Sequence, residues 1–160
     1  MSIMDSPGQR PLPSERDAEE RQLAITLVPR DSDGTFDGAA AALGLTASAG
    51  VKTLVVKVSG GATVFVLIPG TRRLDWTKLR ALLQVNKAAL VTPEAALEVT
   101  GYEPGTITPL GSRSMLPVYA DERIAGGRIG MGSGSSGFLL FTDADPLLAS
   151  LEAVSGDITS

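Results

Sequence analysis

Short runs of apolar residues recur along the chain and are separated by Gly, Pro and Asp. Runs rich in Val, Ile, Leu and Phe, bounded by such turn residues, predict strands. The predicted strands are Leu23 to Val28, Lys52 to Val58, Ala62 to Ile68, Ala88 to Val91, Met115 to Ala120, Arg128 to Met131 and Phe138 to Thr142. Because Pro117 has no N–H to donate, we expect the fifth of these strands to lie at a sheet edge or to contain a bulge.

Capping residues predict helices between the strands. Ser14, Thr35, Asp75 and Thr92 are placed as N-caps, and Pro93 occupies the first helical position after Thr92. The predicted helices are 14 to 22, Phe36 to Leu43, Trp76 to Leu83, Pro93 to Thr100, and one that begins at Asp143 or Asp145 and ends at Ala153. Hairpins join most strands, so we predict an α+β (mixed α/β) fold. It is a largely antiparallel mixed sheet, or a partly closed barrel, with helices packed around it.

The length of 160 residues predicts one domain. Residues 1–13 are rich in Pro, Ser and charge and are expected to form a disordered tail, residues 14–154 the domain, and residues 155–160 a frayed tail. The N-terminus has no apolar signal-peptide core, and no apolar run is long enough for a membrane span. We therefore expect a cytoplasmic protein with no membrane partner.

The composition restricts the chemistry. The chain has no Cys and no His, so a thiol nucleophile, a zinc–thiolate site and a Ser-His-Asp triad are excluded. Catalysis would have to use lysine, carboxylates, hydroxyls, backbone N–H groups or the substrate itself. The net charge of −4 argues against binding a long nucleic-acid duplex, although a short RNA end, or RNA held by a partner protein, remains compatible.

Two stretches carry candidate chemistry. The first, VKTLVV from Val51 to Val56, places Lys52 at the mouth of an apolar strand. Lys52 either reaches out to water from the strand end, or lies at a pocket mouth where it meets a phosphate or polarises a carbonyl oxygen. The second, GYEPGTITPLG from Gly101 to Gly111, is stiff at its prolines and permissive at its glycines. It is either a wide connection or a loop whose backbone closely approaches an acyl group.

Together these stretches resemble the YbaK/prolyl-tRNA synthetase associated domain, a family of aminoacyl-tRNA editing hydrolases. Lys52 falls on the lysine of the family's KTL motif, Gly105 to Pro109 has its G-x-x-x-P spacing, and the likeness covers roughly residues 22 to 153. The resemblance implies deacylation of mischarged tRNA, most typically a tRNA for proline carrying Ala, Cys or a similar small residue. Lys52 and Gly105 are the implied catalytic positions. Gly101, Thr106, Ile107 and Pro109 are implied to bind substrate.

The resemblance also implies partners: the aminoacyl-tRNA acceptor end and a prolyl-tRNA synthetase, with no cofactor, metal or DNA. Water, or the thiol of a cysteinyl substrate, would be the attacking group. An alternative is an inactive binding or regulatory module of the same fold that acts with a synthetase. The family's cysteinyl-tRNA deacylase branch carries basic residues in a turn where this chain has Ser135 and Ser136. That difference argues against assignment to that branch.

That turn, GSGSSG from Gly132 to Gly137, also spells G-x-G-x-x-G, with Asp157 twenty residues after Gly137. A dinucleotide-binding fingerprint joins a strand to a helix, whereas these glycines lead into the predicted strand that begins at Phe138. We therefore disfavour an oxidoreductase. The resemblance instead places Gly132, Ser133 and Gly134 at the pocket rim. Asp121 matches an acidic family position and is either a substrate-binding residue or a residue that ends a strand.

Overall fold

Two β-sheets share the main hydrophobic core in the computed structural model, which describes residues 11–30 and 36–160. The strands are β1 (Ile25–Pro29), β2 (Val51–Val58), β3 (Thr63–Pro69), β4 (Ala88–Leu90), β5 (Val118–Asp121), β6 (Arg128–Gly132), β7 (Phe138–Asp143) and β8 (Val154–Gly156). The helices are α1 (Pro13–Glu20), α2 (Phe36–Ala42), α3 (Trp76–Leu83), α4 (Pro93–Thr100) and α5 (Ala144–Ser150). The predicted Thr35 cap and most of the predicted N-terminal tail lie outside the described residues.

The small sheet has the order β1-β7-β6 and is antiparallel throughout. The large sheet has the order β4-β2-β3-β5-β8, in which β5 is parallel to both β3 and β8. The predicted hairpins β2–β3 and β6–β7 are both present. The α+β prediction with a largely antiparallel mixed sheet is therefore confirmed. Among the described residues the strands form two sheets, not a closed barrel.

Alternation along the strands of the large sheet divides its side chains between two cores. Val55 and Phe65 lie on the face toward the small sheet and join the core between the sheets. Val56 and Val66 lie on the opposite face, in a second cluster with Leu79 of α3. A third cluster joins α2 to the small sheet. Both faces of β3 are thus buried, which explains why its sequence is almost continuously apolar.

Helices α3 and α4 begin at the capping residues that the sequence predicted. The side chain of Asp75 accepts a hydrogen bond from the Lys78 N–H at 3.1 Å, and that of Thr92 accepts one from the Ala95 N–H at 3.1 Å. Ser14 is different: it lies inside α1, which begins at Pro13. None of the helices within 11–30 and 36–160 is long and apolar enough to cross a membrane.

Two predictions at the C-terminal half of the chain were wrong. β5 begins after Pro117 and lies between β3 and β8, so it is neither an edge strand nor interrupted by the proline. The expected frayed tail instead adds β8 to the large sheet and buries Ile158 completely against the α3 cluster. A single isoleucine in a polar run gives little periodic signal, and its hydrophobic partners come from residues far away in the sequence.

Candidate functional site

Lys52 lies near the start of β2, where one edge of the strand is uncovered. β4 pairs only with residues 56–58 of β2, and no other described strand pairs with residues 51–54 on that side. The Lys52 side chain is exposed and has no ion pair or hydrogen bond with any described residue. The strand therefore presents an unpaired ammonium group beside an open sheet edge.

The loop from Gly101 to Gly111 is fixed by contacts within itself. Gly101 has a φ of 80° and ends α4 in the left-handed conformation that favours glycine. The hydroxyl of the buried Tyr102 donates to the Leu110 carbonyl at 2.7 Å, which ties the two ends of the loop together. The Thr106 hydroxyl donates to the Glu103 carbonyl at 2.8 Å. These hydrogen bonds hold the loop in one defined conformation.

The β6–β7 turn packs closely on this loop. The Gly134 N–H donates to the Thr106 carbonyl at 2.8 Å. A Cβ at Gly132 would lie 2.6 Å from the Thr106 carbonyl oxygen, and one at Gly134 would overlap the Tyr102 ring. Only glycine permits this approach of backbone to backbone. The two glycine-rich stretches that the sequence singled out thus form one assembly.

Helix α1 supports both stretches from outside. The Ser14 hydroxyl donates to the Ser133 carbonyl at 2.6 Å, and the Asp17 carboxylate accepts from the Gly111 N–H at 2.8 Å. Burial, with a smaller contribution from the negative charge of Asp17, raises the pKa of Tyr102 to about 12. The phenol therefore stays protonated and keeps donating its hydrogen bond well above neutral pH.

A cavity of about 430 Å³, which we call the lysine pocket, lies between the edge of β2 and these loops. Four of the predicted site residues line it: Lys52, Gly105, Ile107 and Gly132. The remaining lining residues are Arg30, Phe36, Gly50, Val51, Thr53, Leu54, Gly130, Met131 and Leu139. The pocket thus combines a mainly apolar wall with two cationic side chains, Lys52 and Arg30.

Backbone N–H groups are available at the loop side of this pocket. Gly105 has a φ of 87°, and a Cβ placed there would meet no atom within 4 Å, so the residue faces open space. The Thr106 N–H donates to the Glu103 carbonyl. The N–H groups of Gly105 and Ile107 have no hydrogen-bond acceptor among the described residues. These two N–H groups are the donors that a developing oxyanion could use.

Sequence reasoning missed several pocket residues. Met131 and Leu139 are buried apolar residues on β6 and β7, and nothing in a strand pattern distinguishes a pocket wall from a core. Thr53 also lines the pocket, and its place directly after Lys52 in the KTL motif could have identified it. Its hydroxyl oxygen is buried and has no hydrogen-bond partner among the described residues. A buried hydroxyl without a partner costs about 1–3 kcal/mol, a cost that functional pockets often carry.

Six predicted substrate-binding residues do not line the lysine pocket, and five of them lie in the two glycine-rich stretches. Gly101 ends a helix, Thr106 and Gly134 are joined by a hydrogen bond, and the Ser133 hydroxyl donates to the Phe138 carbonyl at 2.7 Å. Pro109 is buried beside a different cavity that α1 partly lines. The structure gives these residues a role in shaping the loops. Direct contact with substrate stays a prediction for them.

Asp121 lies away from the lysine pocket and is fully buried. Its carboxylate accepts hydrogen bonds from the Ile158 N–H at 3.1 Å, the Thr159 hydroxyl at 2.9 Å, and the N–H and guanidinium of Arg123. Burial acts to raise the pKa of Asp121, but these hydrogen bonds outweigh it and hold the pKa below its ordinary value. In this structure Asp121 anchors the C-terminal segment to the large sheet.

The G-x-G-x-x-G stretch is a turn between the antiparallel strands β6 and β7, so it does not have the strand-to-helix context of a dinucleotide site. Asp157 forms ion pairs with Lys78 at 3.0 Å and with Arg123 at 2.9 Å. Within the described part of the chain, no group of three or more Asp or Glu side chains is arranged to hold a metal ion.

The sequence of this chain matches one protein-family model and several proline–tRNA ligases. A family model for the aminoacyl-tRNA editing domain matches residues 31–149. The chain is 35% identical over 103 residues to a proline–tRNA ligase of Nitratidesulfovibrio vulgaris, a match that covers 64% of this chain and 18% of the ligase. It is 35% identical over 100 residues to the proline–tRNA ligase of Streptomyces coelicolor, covering 62% of this chain and 18% of that protein. The chain thus spans about a fifth of the length of these relatives.

Solved structures agree over nearly the whole chain. One, described as a candidate trans-editing enzyme for prolyl-tRNA synthetase, superposes with a TM-score of 0.81 at 28% identity and covers 92% of this chain and 95% of its own. A second, a hypothetical protein, superposes with a TM-score of 0.82 at 27% identity and covers 92% and 99% respectively. The match covers nearly the full length of each of these solved chains, whereas it covers only one segment of each ligase.

Proposed function

Because the chain belongs to the aminoacyl-tRNA editing domain family, we propose that it hydrolyses the ester bond of a mischarged tRNA as a protein separate from the synthetase. The proposed substrate is a tRNA for proline that carries alanine, cysteine or a similar small amino acid. The matches to proline–tRNA ligases and to a neighbour named for trans-editing support this choice. Aminoacylation itself is not proposed, since the match covers only 18% of each ligase.

The observation that carries the proposal is the meeting of Lys52, Gly105 and Ile107 at one small pocket. The Lys52 ammonium would anchor a phosphate or ester oxygen of the terminal nucleotide. The N–H groups of Gly105 and Ile107 would donate to the carbonyl oxygen as it gains negative charge. The apolar side chains of Met131 and Leu139 would limit the size of the acyl group.

Hydrolysis at this site needs no nucleophile from the protein. Water adds to the ester carbonyl, and the bond between the carbonyl carbon and the ribose oxygen breaks, with a proton passing to that oxygen. With a cysteinyl substrate, the substrate's own thiol can attack the ester carbonyl instead: a carbon–sulfur bond forms and closes a cyclic thioester, the bond to the ribose oxygen breaks, and the thiol proton passes to that oxygen. The chain has no Cys or His to form a covalent intermediate, which agrees with this mechanism.

The test is deacylation of proline tRNA charged separately with alanine, cysteine, serine and proline. We expect cleavage of a small mischarged residue and sparing of proline. Lys52→Ala should lower kcat/KM by about 100-fold or more. Lys52→Arg separates charge from shape, because it retains the charge but alters the geometry. Arg16→Ala, which removes an exposed cation of α1 outside the lysine pocket, serves as the control.

Two results would contradict the proposal. One is an equal loss of activity in Lys52→Ala and Arg16→Ala, which would remove Lys52 from the site. The other is no cleavage of any charged tRNA, even with a prolyl-tRNA synthetase added. That second result would favour the alternative, a binding or regulatory module of the same fold.

A further inference from the structure

A second cavity adjoins the lysine pocket on the opposite face of the large sheet. It has a volume of about 530 Å³, and we call it the basic cleft. Lys52 and Leu54 line both cavities, because the uncovered edge of β2 separates them. A molecule bound in the lysine pocket can therefore continue past Lys52 into the basic cleft without crossing the sheet.

The basic cleft concentrates positive charge in a protein of net charge −4. Lys52, Arg72 and Arg73 line it, and no Asp or Glu side chain is among its described lining residues. Arg73 is exposed and, like Lys52, has no ion pair or side-chain hydrogen bond with a described residue. The Nε of Arg72 donates to the Thr159 hydroxyl at 2.7 Å, which fixes the position of this guanidinium. Cations without an ion pair that line the same cleft favour an anionic ligand.

The same cleft offers apolar surface. Trp76, the only tryptophan of the chain, lines it from the first turn of α3 and packs against the α3 core cluster. Leu90, at the end of β4, lines it as well and is 55% exposed, one of the few large apolar side chains so accessible among the described residues. A fixed aromatic ring beside unpaired cations is the combination with which proteins hold single-stranded nucleic acid.

We propose that the basic cleft binds the single-stranded 3′ end of the tRNA substrate. Arg72 and Arg73 would contact the phosphates that precede the terminal adenosine, a base would lie against Trp76 and Leu90, and Lys52 would mark the passage to the lysine pocket. This inference rests on the proposed function, because it extends the same substrate. It also reconciles an acidic protein with an RNA substrate, since only a few phosphates are contacted.

Binding can be tested without any catalysis. Trp76 fluorescence is titrated with the RNA trinucleotide CCA, with uncharged tRNA, and with the same tRNA lacking its 3′ CCA. We expect a saturable fluorescence change with the first two probes and a much weaker one with the third. Arg73→Gln should weaken binding of CCA by about fivefold and reduce the slope of log affinity against log salt by about 0.7. Arg16→Gln removes an equal charge outside the cleft and should leave both unchanged. Equal responses to tRNA with and without CCA would overturn the inference.

Kinetics supply the second test. For wild type and Arg73→Gln, deacylation is compared on mischarged tRNA and on the alanyl ester of adenosine, which lacks the preceding phosphates. We expect Arg73→Gln to raise KM for the tRNA about fivefold, with kcat unchanged, and to leave the small ester unaffected. An unchanged KM for the tRNA, or an equal rise for both substrates, would overturn the inference. If wild type cleaves neither substrate, the proposed function fails, and the fluorescence titration alone decides whether the cleft binds CCA.

Discussion

Replacement of Asp121 by asparagine tests whether this residue is an anchor or part of the substrate site. The carboxylate accepts from two backbone N–H groups, from the Thr159 hydroxyl and from the Arg123 guanidinium. Asparagine has the same shape, but its NH₂ group faces donors in place of one acceptor oxygen. Loss of two charge-assisted hydrogen bonds in a fully buried position is expected to cost about 3 kcal/mol.

This cost has a specific dependence on pH. The folded pKa of Asp121 lies below its ordinary value, so the ionised carboxylate stabilises the fold above the unfolded pKa of about 3.9. That contribution is lost as pH falls through the lower, folded pKa. The difference in unfolding free energy between wild type and Asp121→Asn should therefore be constant near neutral pH and should narrow below about pH 4.

The assays are urea unfolding at several pH values, thermal unfolding at neutral pH, and deacylation under native conditions. We expect Asp121→Asn to lower Tm by about 9 °C and to retain activity at temperatures where it is folded. Asp157→Asn, which alters an exposed carboxylate of the same network, is the matched control and should change stability far less. A variant of unchanged stability that has lost activity would refute the anchoring role and restore Asp121 to the substrate site.

The remaining predictions concern the loop from Gly101 to Gly111 and the β6–β7 turn that packs on it. Gly105→Ala and Gly61→Ala both place a Cβ at positive φ in open space, so each should lose about 1 kcal/mol of stability, but only Gly105→Ala should lose deacylation activity. Equal activities would remove Gly105 from the site. Gly134→Ala, whose Cβ would overlap the Tyr102 ring, should destabilise the fold by more than about 2 kcal/mol in a melting experiment. The pKa of Tyr102 is raised from about 10 to about 12, so the protonated phenol stabilises the folded state. This stabilisation is fully present below pH 10 and is lost as pH rises through 12. An absorbance titration should show one phenol ionising near that value, and Tyr102→Phe should remove it.

The sequence predicted most elements because their signals are local. The caps Asp75 and Thr92 contact N–H groups three residues ahead, so a short window contains the whole interaction. The hairpins β2–β3 and β6–β7 likewise depend on apolar runs and the turns between them. Lys52 and Gly105 were identified by motif, and the structure places both at one pocket, although their catalytic roles stay predictions.

What the sequence missed depends on partners distant along the chain. The sequence predicted Ser14 as an N-cap, because its local pattern fits a cap. Its hydroxyl instead donates to the carbonyl of Ser133, which is 119 residues away and outside any local pattern. Asp121 anchors the C-terminal segment because the Ile158 N–H and the Thr159 hydroxyl, which follow β8, donate to its carboxylate. Pro117 has no N–H and therefore cannot donate a hydrogen bond to a neighbouring strand. Its presence does not indicate that β5, which begins one residue later, pairs with β3 on one side and β8 on the other.

The sequence by itself determined most of the elements, the absence of thiol and imidazole chemistry, and the two stretches that meet at the lysine pocket. Tertiary structure decided that β2 has an uncovered edge, that Lys52 therefore serves two cavities, and that Thr53, Met131 and Leu139 complete a pocket. The physical reason is that secondary structure follows from contacts within a few residues. A pocket, by contrast, is the space left between segments that meet only when the two sheets pack.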